Sequence, residues 1–185
     1  MVKTIAFDLW GCLLKENDCS MTEQEEILEK QFWNLNNDKE YFAWATKTLS
    51  LSEEQIKAIL SPIWKKLYSL KEPWIFEKIL KKYPNIDFAV ATNHISDVRE
   101  SLEYLWILKK CKTVLISWDC GYEKPSKEFY ELLIKEIWLP SKKILFIDDK
   151  LENTKLAEKV GLKALHYHQG TSLSETILSY LWKIK

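Results

Sequence analysis

Five short apolar runs recur along the chain, Val2 to Leu9, Asp87 to Thr92, Thr113 to Ser117, Lys143 to Asp148 and Lys163 to Tyr167, with stretches of helical periodicity between them. Strands alternating with helices in this way mark a parallel sheet with helices packed on its faces. The fold class expected is therefore α/β, a Rossmann-like parallel sheet flanked by helices. Val98, Leu102 and Leu105 fall at helical spacing after the second run, and Phe129, Leu132, Leu133 and Ile137 do so after the third. Leu151, Ala157 and Val160 predict a further helix, stopped at Gly161 where a left-handed cap is wanted. A last helix is expected from about Ser174 to Trp182.

Residues 15–75 interrupt the rhythm. They hold no convincing strand but three or four helical segments, two of them opening with capping boxes, Ser20 with Glu23 and Ser52 with Gln55. The expected organisation is a core of residues 1–14 and 76–185 with a small α-helical cap, 15–75, inserted after the first strand. Short hinges are expected near Leu14 to Asn17 and Lys71 to Trp74. Charge runs in the insert, such as Thr22 to Glu26, read as a solvated helix face.

The 185 residues carry 27 basic and 27 acidic groups, a formal net charge of zero that argues against nucleic acid as a partner. No apolar run approaches the roughly 18 residues of a membrane span. The opening MVKTIAFDLW has no signal-peptide cleavage site, so a cytoplasmic protein with no membrane partner is expected. Cys12, Cys19, Cys111 and Cys120 match neither a zinc knuckle nor a redox motif and read as reduced packing residues. Oligomeric state is not legible.

In an open parallel sheet, ligands bind beyond the carboxyl ends of the strands. The first run ends IAFDLWG with Asp8, the second FAVATN with Thr92, a loop after the third holds Lys124 in GYEKP, and the fourth ends ILFIDD with Asp148 and Asp149. Singly, such residues are common as turn formers and helix caps. Adjacent acids after an apolar strand are harder to dismiss, because their repulsion must be offset by a cation or by donors. Hard oxygen ligands of this kind suit Mg²⁺, which takes one or two carboxylates together with substrate phosphate and water.

In order and spacing the chain resembles the haloacid dehalogenase (HAD) superfamily, with IAFDLWGCLL, FAVATN, GYEKPSKEFYELL and ILFIDDKLENTKLAEKVGLKAL as its four motifs. The resemblance covers about residues 1–14 and 76–170, and the insert lies where that family places a small helical cap. It implies a Mg²⁺-dependent phosphatase acting on a small phosphorylated metabolite, a sugar phosphate among the candidates, through an aspartyl-phosphate intermediate. By the same resemblance Asp8 is the nucleophile, Thr92 binds a phosphoryl oxygen and Lys124 neutralises charge between them. Mg²⁺ is held by Asp8, Asp148, Asp149 and the main-chain carbonyl of Trp10. Gly11, Asn93 and His94 are placed on the substrate side of the rim, with His94 open to the alternative of a surface-loop histidine. His166 and His168 alternate along the last strand and are assigned no role. Two alternatives stand beside the phosphatase: a catalytically impaired phosphate- or partner-binding protein, and a 2-haloacid dehalogenase, which has no need of the paired acids.

One position departs from the pattern. Most phosphatases of that superfamily carry an aspartate two residues after the nucleophile as general acid and base, a role worth about 10² to 10⁴ in rate. Here that residue is Trp10. Similar sequences with FDLGG or FDLGN have glycine there, and the composition bears on the point: nine Trp and four Gly among 185 residues, where glycine ordinarily makes up about 7%. Trp106 and Trp138 stand at helix ends where a left-handed glycine is favoured, and Trp10, Trp74 and Trp118 fall where similar sequences have small residues. Some or all of the nine are accordingly expected to be glycines written as Trp through UGA codons, a reading known in some bacterial lineages.

Overall fold

The computed structural model describes residues 1–32, 34–35 and 37–184. Among these residues seven strands, β1 (Thr4–Phe7), β2 (Leu14–Glu16), β3 (Tyr68–Leu70), β4 (Asp87–Thr92), β5 (Cys111–Ile116), β6 (Ile144–Asp148) and β7 (Lys163–His166), form two sheets. The larger is a five-stranded parallel sheet in the order β5-β4-β1-β6-β7. Among the described residues ten α-helices accompany them: α1 (Glu23–Lys30), α2 (Asp38–Leu49), α3 (Glu53–Leu67), α4 (Ile75–Lys82), α5 (Arg99–Tyr104), α6 (Ile107–Lys110), α7 (Ser117–Cys120), α8 (Lys127–Ile137), α9 (Leu151–Val160) and α10 (Leu173–Lys183).

Every central strand is apolar on both faces, as a sheet covered on both sides requires. Ile5, Phe7, Phe88, Val90, Leu145 and Ile147 point to one side, which is covered in part by Ile75, Phe76 and Ile79 of α4 and Ile177 and Leu181 of α10. Ala6, Ala89 and Ala91 point to the other, where their small size leaves room for Phe129, Tyr130 and Leu133 of α8. β1 lies in the middle of the sheet, paired with β4 and β6, so its C-terminal end opens between theirs.

Residues 15–75 hold three helices, but also two strands that the sequence reading missed. β2 and β3 pair antiparallel in the register Leu14↔Leu70, Lys15↔Ser69 and Glu16↔Tyr68, so the two ends of the insert are joined by a short ladder rather than by loose hinges. Three residues are too few for a period-2 pattern to show. The first capping box also stands two residues later than expected, on Thr22 and Glu25 instead of Ser20 and Glu23; the box on Ser52 and Gln55 is present. Glu25 explains the shift, since its carboxylate caps Thr22 N–H at 2.7 Å and also meets Lys66 of α3 at 2.7 Å, which ties α1 to α3.

Two helix ends carry the conformations expected of them. Trp106, after α5, has φ 61° and Trp138, after α8, has φ 56°. Both are in the left-handed region, together with all four glycines and Ser50.

Candidate active site

β1 delivers Asp8 to the rim, held at its N–H by Ile147 O of β6 at 2.8 Å. From the loop before α8 comes Lys124, whose buried ammonium donates to Asp8 Oδ1 at 2.6 Å and to Asp148 Oδ2 at 2.8 Å. The lysine is placed through its backbone: Asn93, one residue past β4, accepts from Lys124 N–H and donates to Lys124 O, both at 2.7 Å. Asp148 is supplied with two further donors, Lys150 N–H at 2.8 Å and Asn153 Nδ2 at 2.9 Å. These three donors offset the crowding of the paired acids.

The shared ammonium decides the electrostatics. Burial disfavours the charged form of Lys124, but Asp8 and Asp148 outweigh it and raise its pKa, so the lysine is a fixed cation. Burial pushes the Asp8 carboxyl up to about 6, with Asp148 adding to the rise and Lys124 opposing it.

Asp149 faces the other side of the same space. Its Oδ2 accepts from Gln169 Nε2 at 2.7 Å, and its main-chain oxygen lies 3.0 Å from His166 Nε2. Gly11, with φ 73°, leaves room for that carboxylate, since a Cβ at position 11 would run into it. Carboxylate oxygens of Asp8 and Asp149 and the Cys12 sulfur lie within 4.8 Å of one another. Lys71, just past β3, donates to Gly11 O at 2.6 Å and so ties the base of the insert to the loop after Asp8. Thr92 sits buried at the end of β4, and among the described residues its hydroxyl has no hydrogen-bond partner.

A pocket of about 350 Å³ opens over this arrangement, lined by Asp8, Trp10, Gly11, Asn93, Lys124 and Asp149 with Lys150, Asn153 and Gln169. None of these lies in residues 15–75. The insert meets the site instead through Lys71, on the Gly11 carbonyl, and through Tyr68, whose ring is edge-on to Trp10 with centroids 4.3 Å apart.

Of the residues read from the sequence, the structure brings Asp8, Trp10, Gly11, Asn93, Lys124 and Asp149 together around this pocket, with Asp148 joined to Lys124 behind it and Thr92 buried outside its lining. His94 is a correction: it is neither a surface-loop residue nor a lining residue of the pocket but lies buried among Trp10, Phe32, Trp64 and Tyr68. That burial pushes its pKa down to about 3, so it is neutral. Asn93 lines the pocket, yet its amide is engaged in holding Lys124. Asn153, Gln169, Lys71 and His166 were missed. Asn153 had a signal, because the first turn of a helix that starts at a strand end faces back onto that end; the others come from loops and a strand edge whose approach no local pattern encodes.

The fold has many counterparts among solved structures. A HAD family enzyme from Bacteroides thetaiotaomicron, in complex with magnesium and inorganic phosphate, superposes with a TM-score of 0.68 at 16% identity, covering 95% of this chain and 98% of that one. The chain has the fold of the HAD-like superfamily. A predicted HAD-like family hydrolase from Porphyromonas gingivalis matches with a TM-score of 0.69 at 18% identity over 98% of both chains, and a dehalogenase with 0.62 at 16% identity over 100% of this chain and 97% of that one. The sesquiterpene phosphatase astK of Aspergillus oryzae is 46% identical over 46 residues, which is 25% of this chain and 24% of that protein. The chain thus spans about a quarter of the curated relative it matches. No protein-family model matches the sequence.

Proposed function

We propose that this HAD-like chain is a cytoplasmic, Mg²⁺-dependent phosphatase that hydrolyses a small phosphorylated metabolite through an aspartyl phosphate. The observation that carries the reading is the Lys124 ammonium held between Asp8 and Asp148 at the mouth of the sheet. It supplies fixed positive charge where a dianion must approach a carboxylate. The four cysteines are unpaired, in keeping with a reducing compartment.

The donor set fits magnesium. Asp8, Asp149 and the main-chain carbonyl of Trp10 would hold it, with Asp148 acting through Lys124, because both of its oxygens are already engaged. When bound, the ion supplies charge neutralisation at the transferring phosphoryl group. Asp8 attacks phosphorus, and the ester bond breaks with its electron pair going to the leaving oxygen. Lys124 screens the repulsion between the two anions. Water then cleaves the acyl phosphate and frees Asp8. Splitting the hydrolysis in two makes each step easier. With an indole at position 10 no side chain there can protonate the leaving oxygen, which favours leaving groups that need little protonation.

We also infer that Trp106, Trp138 and Trp10 stand for glycine in the organism, through UGA codons. Two helix-end Trp in the left-handed region, 62% and 90% exposed, support this, since such a conformation costs a residue with a Cβ roughly 1 kcal/mol or more. Trp64 speaks differently, being fully buried and stacked on Phe32 at 4.8 Å, as a core Trp would be. Trp33 lies outside the described residues.

The test of the phosphatase is hydrolysis of an aryl phosphate with and without Mg²⁺, for residue 10 as Trp and as Gly. Metal-dependent phosphate release supports it. Halide release from a 2-haloacid without metal would establish the dehalogenase instead, and phosphate binding without turnover the impaired binding protein.

A further inference from the structure

Among the described residues, the indole of Trp10 is the one side chain that belongs both to the pocket over Asp8 and to the aromatic packing beneath the insert. On the inner side it meets Tyr68 edge-on at 4.3 Å and lies roughly parallel to His94 at 6.4 Å. Behind them stands Trp64, 5.8 Å from Tyr68 and 5.4 Å from His94. All three are buried, and none lines the pocket.

These walls are held by bonds that do not involve the indole. Tyr68 is paired opposite Glu16 in the β2–β3 ladder. His94 donates its N–H to Ser117 Oγ at 3.1 Å, and its carbonyl accepts from Trp118 N–H at 3.4 Å. The Trp64 carbonyl accepts from Ser101 Oγ at 2.6 Å. A large-to-small change in a rigid surround leaves a cavity, because the neighbours relax only in part. Here the cavity would open directly onto Asp8.

We propose that residue 10 determines substrate class by filling or opening an aromatic recess beside the nucleophile. When the residue is small, the recess takes the flat apolar leaving group of a phosphomonoester while the phosphate faces Asp8 and Lys124. When it is Trp, the recess is closed and only esters with small leaving groups fit the pocket. Aromatic walls favour a ring as occupant, through stacked or edge-on contact. This rests on the phosphatase reading above, and holds whichever residue the organism has at position 10.

The experiment compares the protein with Trp10 against W10G and W10A. It reads kcat/KM for 1-naphthyl phosphate, glycerol 3-phosphate and glucose 1-phosphate, and calorimetric binding of indole alone, with circular dichroism as the check on folding. The expected result is a ratio of naphthyl to glycerol ester at least tenfold higher in both variants, and indole binding in the variants but not with Trp10. An unchanged ratio, a gain confined to the sugar ester, or no indole binding would overturn the proposal, as would failure of both variants to fold, which would make the indole core filling. If no form hydrolyses any ester, the phosphatase reading fails and indole binding alone decides whether the recess exists.

Discussion

A single ammonium holds two carboxylates at this site, and its place is fixed from the backbone. Asn93 grips Lys124 by N–H and C=O at once, 2.7 Å each, so loss of its amide frees the lysine to shift without changing any charge. Asn93→Ala should therefore lower kcat on the order of 10²-fold, the cost of a misplaced group of this kind, as measured by steady-state kinetics on a small phosphomonoester. Asp8→Asn should lose turnover entirely and keep its circular dichroism spectrum, because Asp148 still pairs with Lys124 when the nucleophile is gone. Normal hydrolysis by that variant would refute the covalent mechanism. Asp149 has a different dependence. Among the described residues its carboxylate accepts only from Gln169, near the surface, so Asp149→Ala should abolish Mg²⁺ binding in calorimetry while leaving the metal-free protein about as stable as before.

Among the elements, the strands that deliver the site were legible because each is an apolar run leading to a polar group: β4 and β6 end at Thr92 and Asp148, and β1 stops at Phe7, one residue before Asp8. The ladder of β2 and β3 was not legible, its two three-residue strands being separated by residues 17–67. Chain termini of helices were read best where a cap is a backbone necessity: Gly161, Trp106 and Trp138 all take positive φ. At Trp138 the side chain is 90% exposed, so little packing is lost on removing it. Trp138→Gly should raise stability by about 1 kcal/mol, read as a higher urea midpoint. Trp106→Gly should gain less, because Lys109 lies 4.0 Å over its ring and that contact is lost. A loss of stability at position 138 would mean the left-handed turn is not the one strained there.

Over the whole molecule, the rim of carboxylates was readable from sequence because the sheet topology gathers its strand ends, whereas the aromatic junction of insert and core was not, since Phe32, Trp64, Tyr68 and His94 lie far apart in sequence and meet only in three dimensions. Exposed surface is where the composition matters most. Trp74, Trp106, Trp138 and Trp182 are between 62% and 90% exposed, and indoles displayed this way add apolar surface that favours association. A glycine at each would remove that surface and, at 106 and 138, the backbone strain as well. The written chain is therefore expected to elute from size exclusion with more aggregate than a form with glycine at 106 and 138. The gene carries the decisive reading: UGA codons at 10, 106 and 138, and a native protein whose intact mass falls short of the written sequence by one Trp-to-Gly difference per recoded position. UGG at all three positions, with the full written mass, would show that the strained helix ends are genuine and that the junction beside Asp8 is plugged in the organism too.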